Sequence, residues 1–217
     1  MDLDSMVIED EIIDPLEAAR EAWMEKRRGK FTCSKFGDLI SEGRAKGETF
    51  SQTGLSYIRR VVAERLGSFY ETSARSMEWG TSNEPSAIAE YSRRTGVAVD
   101  SAPFQFFEYS NLVGGTPDGL IGGDGCIEVK CPFDPAVHVN TLLTRAVPKD
   151  YQWQVVGHLL VTGRQWCDFI SFDPRMQSPQ SMCVVRVNRD EELILFLLQR
   201  IRFACDEMTR IMEAING

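Results

Sequence analysis

The chain has 217 residues, 43% of them hydrophobic, and a net charge of −8 at pH 7. This size predicts one large core and a single domain over 1–217, with a peripheral acidic segment at 1–14. No apolar run approaches 18 residues and the first residues are acidic and mixed, so we expect a cytoplasmic protein without membrane span or leader. The acidic excess argues against nonspecific coating of nucleic acid, although a basic cluster over 26–46 keeps DNA contact open.

Capping signals and apolar periodicity predict alternating helices and strands. Asp14-Pro15-Leu16-Glu17 is typical of a helix start, with an N-cap carboxylate and a proline at the first helical position. In chain order we predict helices over 15–28, 34–40, 55–66, 75–95, 135–145 and 149–162 and from about 190, and strands over 97–107, 111–121, 126–133, 166–172 and 182–187. This order predicts an α/β fold with a central mixed sheet of about five strands flanked by helices.

The cysteines and histidines give no metal signal. The six cysteines lack Cys-x-x-Cys spacing and lie mostly in apolar segments, so we expect no disulfide framework and no zinc or iron–sulfur site. His138 and His158 each lie in a predicted helix, and we expect packing or surface roles for both.

A carboxylate on a predicted turn is followed by a Glu-x-Lys pair in a short apolar strand; these residues are Asp118, Glu128 and Lys130. Residues two apart in a strand point to the same face, so Glu128 and Lys130 project together. Burying such a pair is costly unless the charges are paired or hold a metal, and Asp118 supplies a second hard oxygen ligand for Mg²⁺. The pattern indicates metal-assisted phosphodiester hydrolysis, with Lys130 orienting the attacking water or stabilising the transition state.

The same residues also admit a structural interpretation. Asp118 lies in a Pro-Asp-Gly sequence, which is a common turn former, and Glu128 with Lys130 would then be an exposed cross-strand ion pair. The full spacing resembles the signature of the restriction-endonuclease-like nuclease superfamily, and as a short pattern it needs support from the rest of the chain.

That support comes from a resemblance to the phage lambda exonuclease family, the alkaline 5′-to-3′ exonucleases of viral recombination systems. The motifs agree in order and spacing from about residue 20 to residue 190. They are Arg27-x-Gly29 with Thr32-Cys33-Ser34, Glu78-Trp79-Gly80 with Glu84, Thr116-Pro117-Asp118-Gly119-Leu120, Glu128-Val129-Lys130-Cys131-Pro132-Phe133, Tyr151 with Gln154-Val155, and Phe172-Asp173-Pro174-Arg175-Met176.

The resemblance implies a restriction-endonuclease-like core and a two-metal site for Mg²⁺, with Mn²⁺ as a substitute. Asp118, Glu128 and the Val129 carbonyl would hold the principal ion, and Glu84 would serve the second. Lys130 would orient the attacking water and Gln154 would help to hold it. On residue chemistry alone, Glu84 and Gln154 are better explained as helix-surface groups, and we expect Trp79 to be a core aromatic.

The resemblance further implies a 5′-phosphate pocket made by Arg27, Ser34 and Thr116, the last at a position where the family has serine. Arg44 would enter the DNA groove from a mobile loop, and Met77 would be an apolar wedge between separated strands, although either residue could be an ordinary surface or packing group. Duplex DNA would thread a homotrimeric ring in the host bacterium, and a single-strand annealing protein would load on the exposed 3′ strand.

The resemblance therefore predicts a Mg²⁺-dependent 5′-to-3′ exonuclease that acts on linear double-stranded DNA. Two other classes remain: a structure-selective or restriction/repair endonuclease of the same superfamily, and a noncatalytic DNA-binding module.

Overall fold

The computed structural model describes residues 14–45, 47–68, 75–101 and 104–217, with the side chains of 75–77 outside the description. Within these ranges the helices are α1 (Pro15–Arg27), α2 (Gln52–Arg65), α3 (Arg75–Thr95), α4 (Pro135–Thr144), α5 (Lys149–Thr162) and α6 (Glu191–Asn216), and a 3₁₀ helix spans Cys33–Leu39. Asp14 caps α1 as predicted, since its side chain accepts a hydrogen bond from the Leu16 N–H at 2.9 Å. No helix in the described ranges is long and apolar enough to cross a bilayer.

The described strands form two sheets. They are β1 (Phe31–Thr32), β2 (Phe107–Ser110), β3 (Val113–Gly115), β4 (Gly119–Ile121), β5 (Gly125–Lys130), β6 (Trp166–Phe172) and β7 (Met182–Asn188). The first sheet has the order β1-β3-β2 and the second has the order β4-β5-β6-β7. In the second sheet β5 and β6 run parallel, whereas β4 pairs with β5 and β6 pairs with β7 in antiparallel fashion.

The predicted α/β class with mixed strands flanked by helices is confirmed, although the described strands form sheets of three and four strands where one of about five was predicted. The strand predicted over 111–121 is split, because Pro117 has no N–H for a ladder and the chain turns between β3 and β4. The strand predicted over 97–107 is only partly present. Asp100 makes an isolated bridge to Leu120, and regular strand pairing starts at Phe107. Residues 102–103 lie outside the described part of the chain.

Two core clusters cover opposite faces of β5. The larger one joins the 3₁₀ helix, α2, α5 and α6 to residues such as Cys126. The smaller one contains Ile127 and Val129 of β5 with Ala87 and Tyr91 of α3. β5 is thus a central strand with apolar packing on both faces, and any charged side chain on it must be paired within the protein.

Candidate active site

β5 places Glu128 and Lys130 on the face that α5 covers, as their alternate positions predict. Glu128 is 0% exposed, and Ile127 and Val129 pack on the opposite side. Asp118 lies on the turn before β4, where its backbone N–H donates to the Ile127 carbonyl at 3.1 Å. The Asp118 Oδ2 accepts a hydrogen bond from the Val129 N–H at 2.6 Å. The structure therefore brings the three motif residues together.

The buried carboxylate of Glu128 has two cationic neighbours. Its Oε1 lies 2.5 Å from the Lys130 Nζ, and its Oε2 lies 2.7 Å from the His158 Nε2. Burial by itself raises the pKa of Glu128, but the charges of Lys130 and His158 outweigh burial and hold that pKa below its ordinary value. Burial likewise lowers the pKa of His158, and Glu128 outweighs it and raises that pKa well above its usual range.

Two further carboxylates, those of Asp118 and Glu84, add negative charge near Glu128. Burial, followed by the charges of Glu128 and Glu84, raises the pKa of Asp118 well above its usual range. Burial and Glu128 also raise the pKa of Glu84. The Lys130 ammonium responds in the opposite direction, since Glu128 and Asp118 raise its pKa although burial lowers it. The three carboxylates repel one another, and an additional cation would relieve that repulsion.

Helix α5 contributes three side chains to this region. Gln154 and His158 are four residues apart and Tyr151 is three residues before Gln154, so all three lie on one helix face. The ring centroid of Tyr151 is 5.2 Å from the Lys130 Nζ. Behind this face, Gly115 allows β3 to lie close to the 3₁₀ helix, because a Cβ built on Gly115 would be 2.2 Å from the Cys33 Sγ.

The predicted phosphate-binding residues and two of the four predicted metal ligands line one cleft of about 500 Å³, which we call the Arg27 cleft. Its lining includes Arg27, Ser34, Glu84, Thr116, Asp118 and Gln154. The Arg27 guanidinium lies 4.2 Å from the Trp23 ring centroid, and the Trp23 Nε1 donates to the Thr116 Oγ1 at 2.8 Å. Burial lowers the pKa of Arg27, and the described residues include no carboxylate at ion-pair distance from it.

A second cleft of about 460 Å³, which we call the Lys130 cleft, lies on the other side of Glu84. It is lined by Val129, Lys130, Phe133 and Tyr151 among others. Glu84 of α3 lines both clefts, so it stands between the Arg27 side and the Lys130 side of the site.

The oxygens present fit a divalent cation. The Glu128 Oε1 is buried and forms an ion pair with the Lys130 ammonium at 2.5 Å, and its second lone pair has no other donor among the described residues. Among the described residues, no three His, Cys, Asp or Glu side chains converge closely enough to hold an ion by themselves. An ion at Asp118 and Glu128 would need the Val129 carbonyl to complete its protein ligands, and such an all-oxygen set suits Mg²⁺.

The family model for a YqaJ-like viral recombinase domain matches residues 22–165, which is more than half of the chain. The chain belongs to this family. In structure it is similar to an alkaline exonuclease from Laribacter hongkongensis, with a TM-score of 0.81 and 30% identity, covering 90% of this chain and 96% of that one. The same relative in complex with dAMP gives the same TM-score and identity and covers 90% and 95% of the two chains.

A phage-related exonuclease from Haemophilus somnus 129PT has the same fold, with a TM-score of 0.72, 19% identity and coverage of 86% and 96%. No curated protein matches the chain. The predicted resemblance to the phage lambda exonuclease family is confirmed, and family and structure together support a nuclease.

Of the predicted DNA contacts of this YqaJ-like domain, Arg44 is absent from the lining of both clefts. Arg44 is exposed on the loop between the 3₁₀ helix and α2. The two ends of that loop are tied by Arg200 of α6, which is 4% exposed and donates to the carbonyls of Leu39 (2.8 Å) and Thr49 (2.5 Å). Met77 belongs to α3, but its side chain lies outside the described part of the chain.

Trp79 is a packing residue of the YqaJ-like domain, as expected from the sequence. It packs against the smaller core cluster and meets Phe133 edge to face, with ring centroids 6.1 Å apart. The guanidinium of Arg175 lies 4.9 Å from its ring centroid.

Sequence reasoning missed His158 as a neighbour of the site. The available signal was its position four residues after Gln154 in a predicted helix, which places both on one face. The packing role expected for the histidines is confirmed for His138, which is buried between Ser171 Oγ (2.7 Å) and the Gln180 carbonyl (2.8 Å).

Proposed function

We propose that this chain is a Mg²⁺-dependent exonuclease that degrades one strand of linear double-stranded DNA from 5′ to 3′ and leaves 3′ tails for recombination by strand annealing. The observation that carries the proposal is the convergence of Asp118, Glu128 and Lys130 beside a cleft that Arg27 also lines. Membership of a viral recombinase family and likeness to an alkaline exonuclease support it.

The protein would hold the principal Mg²⁺ through Asp118, Glu128 and the Val129 carbonyl, with Glu84 serving a second ion and Mn²⁺ able to substitute. When bound, the metal supplies Lewis acidity and a low-pKa water for hydrolysis. Lys130, which remains charged beside Glu128, orients the attacking water and stabilises charge that develops on the phosphoryl group. Gln154 lines the same cleft and would hold the water from the α5 side.

The 5′ phosphate would bind in the Arg27 cleft. Arg27 has a planar fork suited to two phosphate oxygens, and its stacking on Trp23 holds the fork in place. Ser34 and Thr116 add hydroxyl groups on the same cleft. The Thr116 Oγ1 accepts a hydrogen bond from Trp23, so its own hydroxyl hydrogen stays available for a phosphate oxygen.

Assembly would make the enzyme processive. A homotrimeric ring would hold duplex DNA topologically, which suits a chain with net charge −8 because a ring needs less electrostatic attraction. Arg44 would reach the duplex from its exposed loop, Met77 would lie near the point of strand separation, and a single-strand annealing protein in the bacterial cytoplasm would receive the 3′ tail. Light scattering should then give three times the chain mass of 24.5 kDa.

The test is digestion of three DNA substrates with Mg²⁺: a 5′-phosphorylated linear duplex, the same duplex with 5′-hydroxyl ends, and a closed circle. The phosphorylated duplex should be shortened fastest, an internal strand label should show loss from the 5′ end, and EDTA should stop the reaction. Cleavage of the circle at the linear rate would instead assign an endonuclease. DNA binding without cleavage of any substrate would assign a noncatalytic module.

A further inference from the structure

The two histidines are both buried in helices but differ in their hydrogen bonds. His138 uses both ring nitrogens, one on Ser171 and one on the Gln180 carbonyl. His158 is 1% exposed, and its Nε2 is 2.7 Å from the Glu128 Oε2. The ring also interacts with the Cys33 thiol, which acts together with Glu128 to raise the pKa of His158. The hydrogen bond from Nε2 ties the ring to the carboxylate of the candidate site.

The packing around His158 keeps the ring in place. A Cβ on Gly115 of β3 would lie 2.2 Å from the Cys33 Sγ and 3.6 Å from the His158 Nδ1, so this glycine leaves room for the thiol that packs beside the ring. A Cβ on Gly157 of α5 would lie 2.6 Å from Phe36 and 3.0 Å from the Cys33 Sγ, so α5 sits directly against the 3₁₀ helix. The imidazole thus approaches Glu128 from a helix that cannot shift without disturbing the core.

The geometry at Glu128 separates the roles of its two oxygens. His158 binds Oε2, which fixes the rotation of the carboxylate, while Oε1 forms the ion pair with Lys130 and keeps its second lone pair free of any other donor in the described part of the chain. Without the imidazole, Oε2 would be a buried charged oxygen with no donor, and the carboxylate would reorient to find one.

We propose that His158 is a positioning residue that holds the Glu128 carboxylate with Oε1 presented for the divalent cation. This inference rests on the proposed function, since it assumes that Glu128 binds Mg²⁺. A ring nitrogen that orients a ligating carboxylate typically changes metal affinity by about 10- to 100-fold when it is removed.

The experiment compares His158→Leu, which removes the donor at similar volume, with His158→Gln, whose amide nitrogen can take the place of Nε2. Mn²⁺ binding is measured without DNA by electron paramagnetic resonance of the free ion, and cleavage of linear duplex is measured as a function of Mg²⁺ concentration. His158→Leu should weaken Mn²⁺ binding by about 10- to 100-fold. It should raise the Mg²⁺ midpoint to match, while activity recovers at saturating Mg²⁺. His158→Gln should restore most of both.

His138→Leu is the matched control, because it removes a buried imidazole of the same fold away from Glu128. It should lower thermal stability and leave the Mn²⁺ dissociation constant unchanged. If His158→Leu does not fold, His158→Asn replaces it, since that amide is too short to reach Glu128. Metal binding unchanged from wild type in His158→Leu, or equal in His158→Asn and His158→Gln, overturns the inference.

Failure of the proposed function has a different result. In that case the wild-type protein would not bind Mn²⁺ at a site that Glu128→Gln weakens. A wild-type site that depends on Glu128 but is indifferent to His158 overturns only the positioning role.

Discussion

Two buried carboxylates, Asp168 and Glu128, lie on neighbouring strands and differ in how the chain balances their negative charge. Asp168 of β6 stands opposite Ile127 of β5 in the sheet register. Arg186 binds both of its oxygens, with Nε to Oδ1 and Nη2 to Oδ2 at 2.8 Å each, and the Tyr91 hydroxyl donates to Oδ2 at 2.7 Å. At Glu128, by contrast, Lys130 faces one oxygen and His158 the other, and two further carboxylates add negative charge nearby.

The difference separates a carboxylate whose charge is balanced within the chain from a cluster in which acidic groups are in excess. At Asp168 one carboxylate meets one guanidinium and one phenol, so both oxygens have donors within the chain. Burial and the Asp168 charge raise the pKa of Tyr91, which keeps its hydroxyl protonated as a donor. At Glu128 the acidic groups exceed the cations that face them, and the pKa of Asp118 is raised in consequence. The unbalanced charge is what a divalent cation would neutralise.

The largest effect is expected for Asp118→Asn. Loss of a metal ligand should reduce cleavage by about 10³-fold or more, since the metal contributes several kcal/mol to the transition state. The free energy of unfolding should stay within about 1 kcal/mol of wild type or rise, because the change removes repulsion from Glu128 and Glu84. The Asn oxygen can still accept from the Val129 N–H. Rate assays and urea unfolding would measure both, and strong destabilisation would make Asp118 a structural charge.

A smaller effect is expected for Arg27→Ala. Among the described residues, no carboxylate forms an ion pair with the Arg27 guanidinium. The preference for 5′-phosphorylated over 5′-hydroxyl ends should shrink by about 10- to 150-fold, because a charge-assisted pair is worth about 1.5–3 kcal/mol. Competition between the two end types in one reaction measures it. Arg186→Ala is the matched control and should leave the preference unchanged; a wild-type enzyme without end preference would contradict the pocket.

The smallest effect is expected at the balanced site. Asp168→Asn should lower the free energy of unfolding by about 1–2 kcal/mol, since one amide oxygen cannot accept all three hydrogen bonds and the charge opposite Arg186 is lost. Arg186 is 52% exposed, so water limits the loss. The Mg²⁺ dependence of cleavage should not move, and Tyr91→Phe should cost less than Asp168→Asn. A shifted Mg²⁺ midpoint in Asp168→Asn would mean that the two sites are coupled.

Local signals account for the elements that the sequence predicts well. Helix α5 and strand β6 have the predicted limits, since Gly163 takes a left-handed conformation that ends the helix and an apolar run follows. The strands near Pro117 were predicted poorly because they have only three or four residues each and because β3 also pairs with β1, which is distant in the chain.

The candidate site shows the same limit. The shared face of Glu128 and Lys130 follows from strand alternation alone. The approach of Asp118 needs only the short turn that joins β4 to β5. The contact between His158 and Glu128 depends on how α5 is rotated against the sheet, which the packing of Gly157 and Cys33 decides and no local pattern encodes.

Arg200 closes the base of the loop that carries Arg44, between the 3₁₀ helix and α2. Its buried guanidinium binds the carbonyls of Leu39 and Thr49, although Arg200 lies 151 positions after Thr49 in the chain. Residues inserted beyond that base would lengthen the exposed part without pulling on the core. The loop is therefore the place where a longer basic finger, or a reporter group, can be grafted without reshaping either cleft.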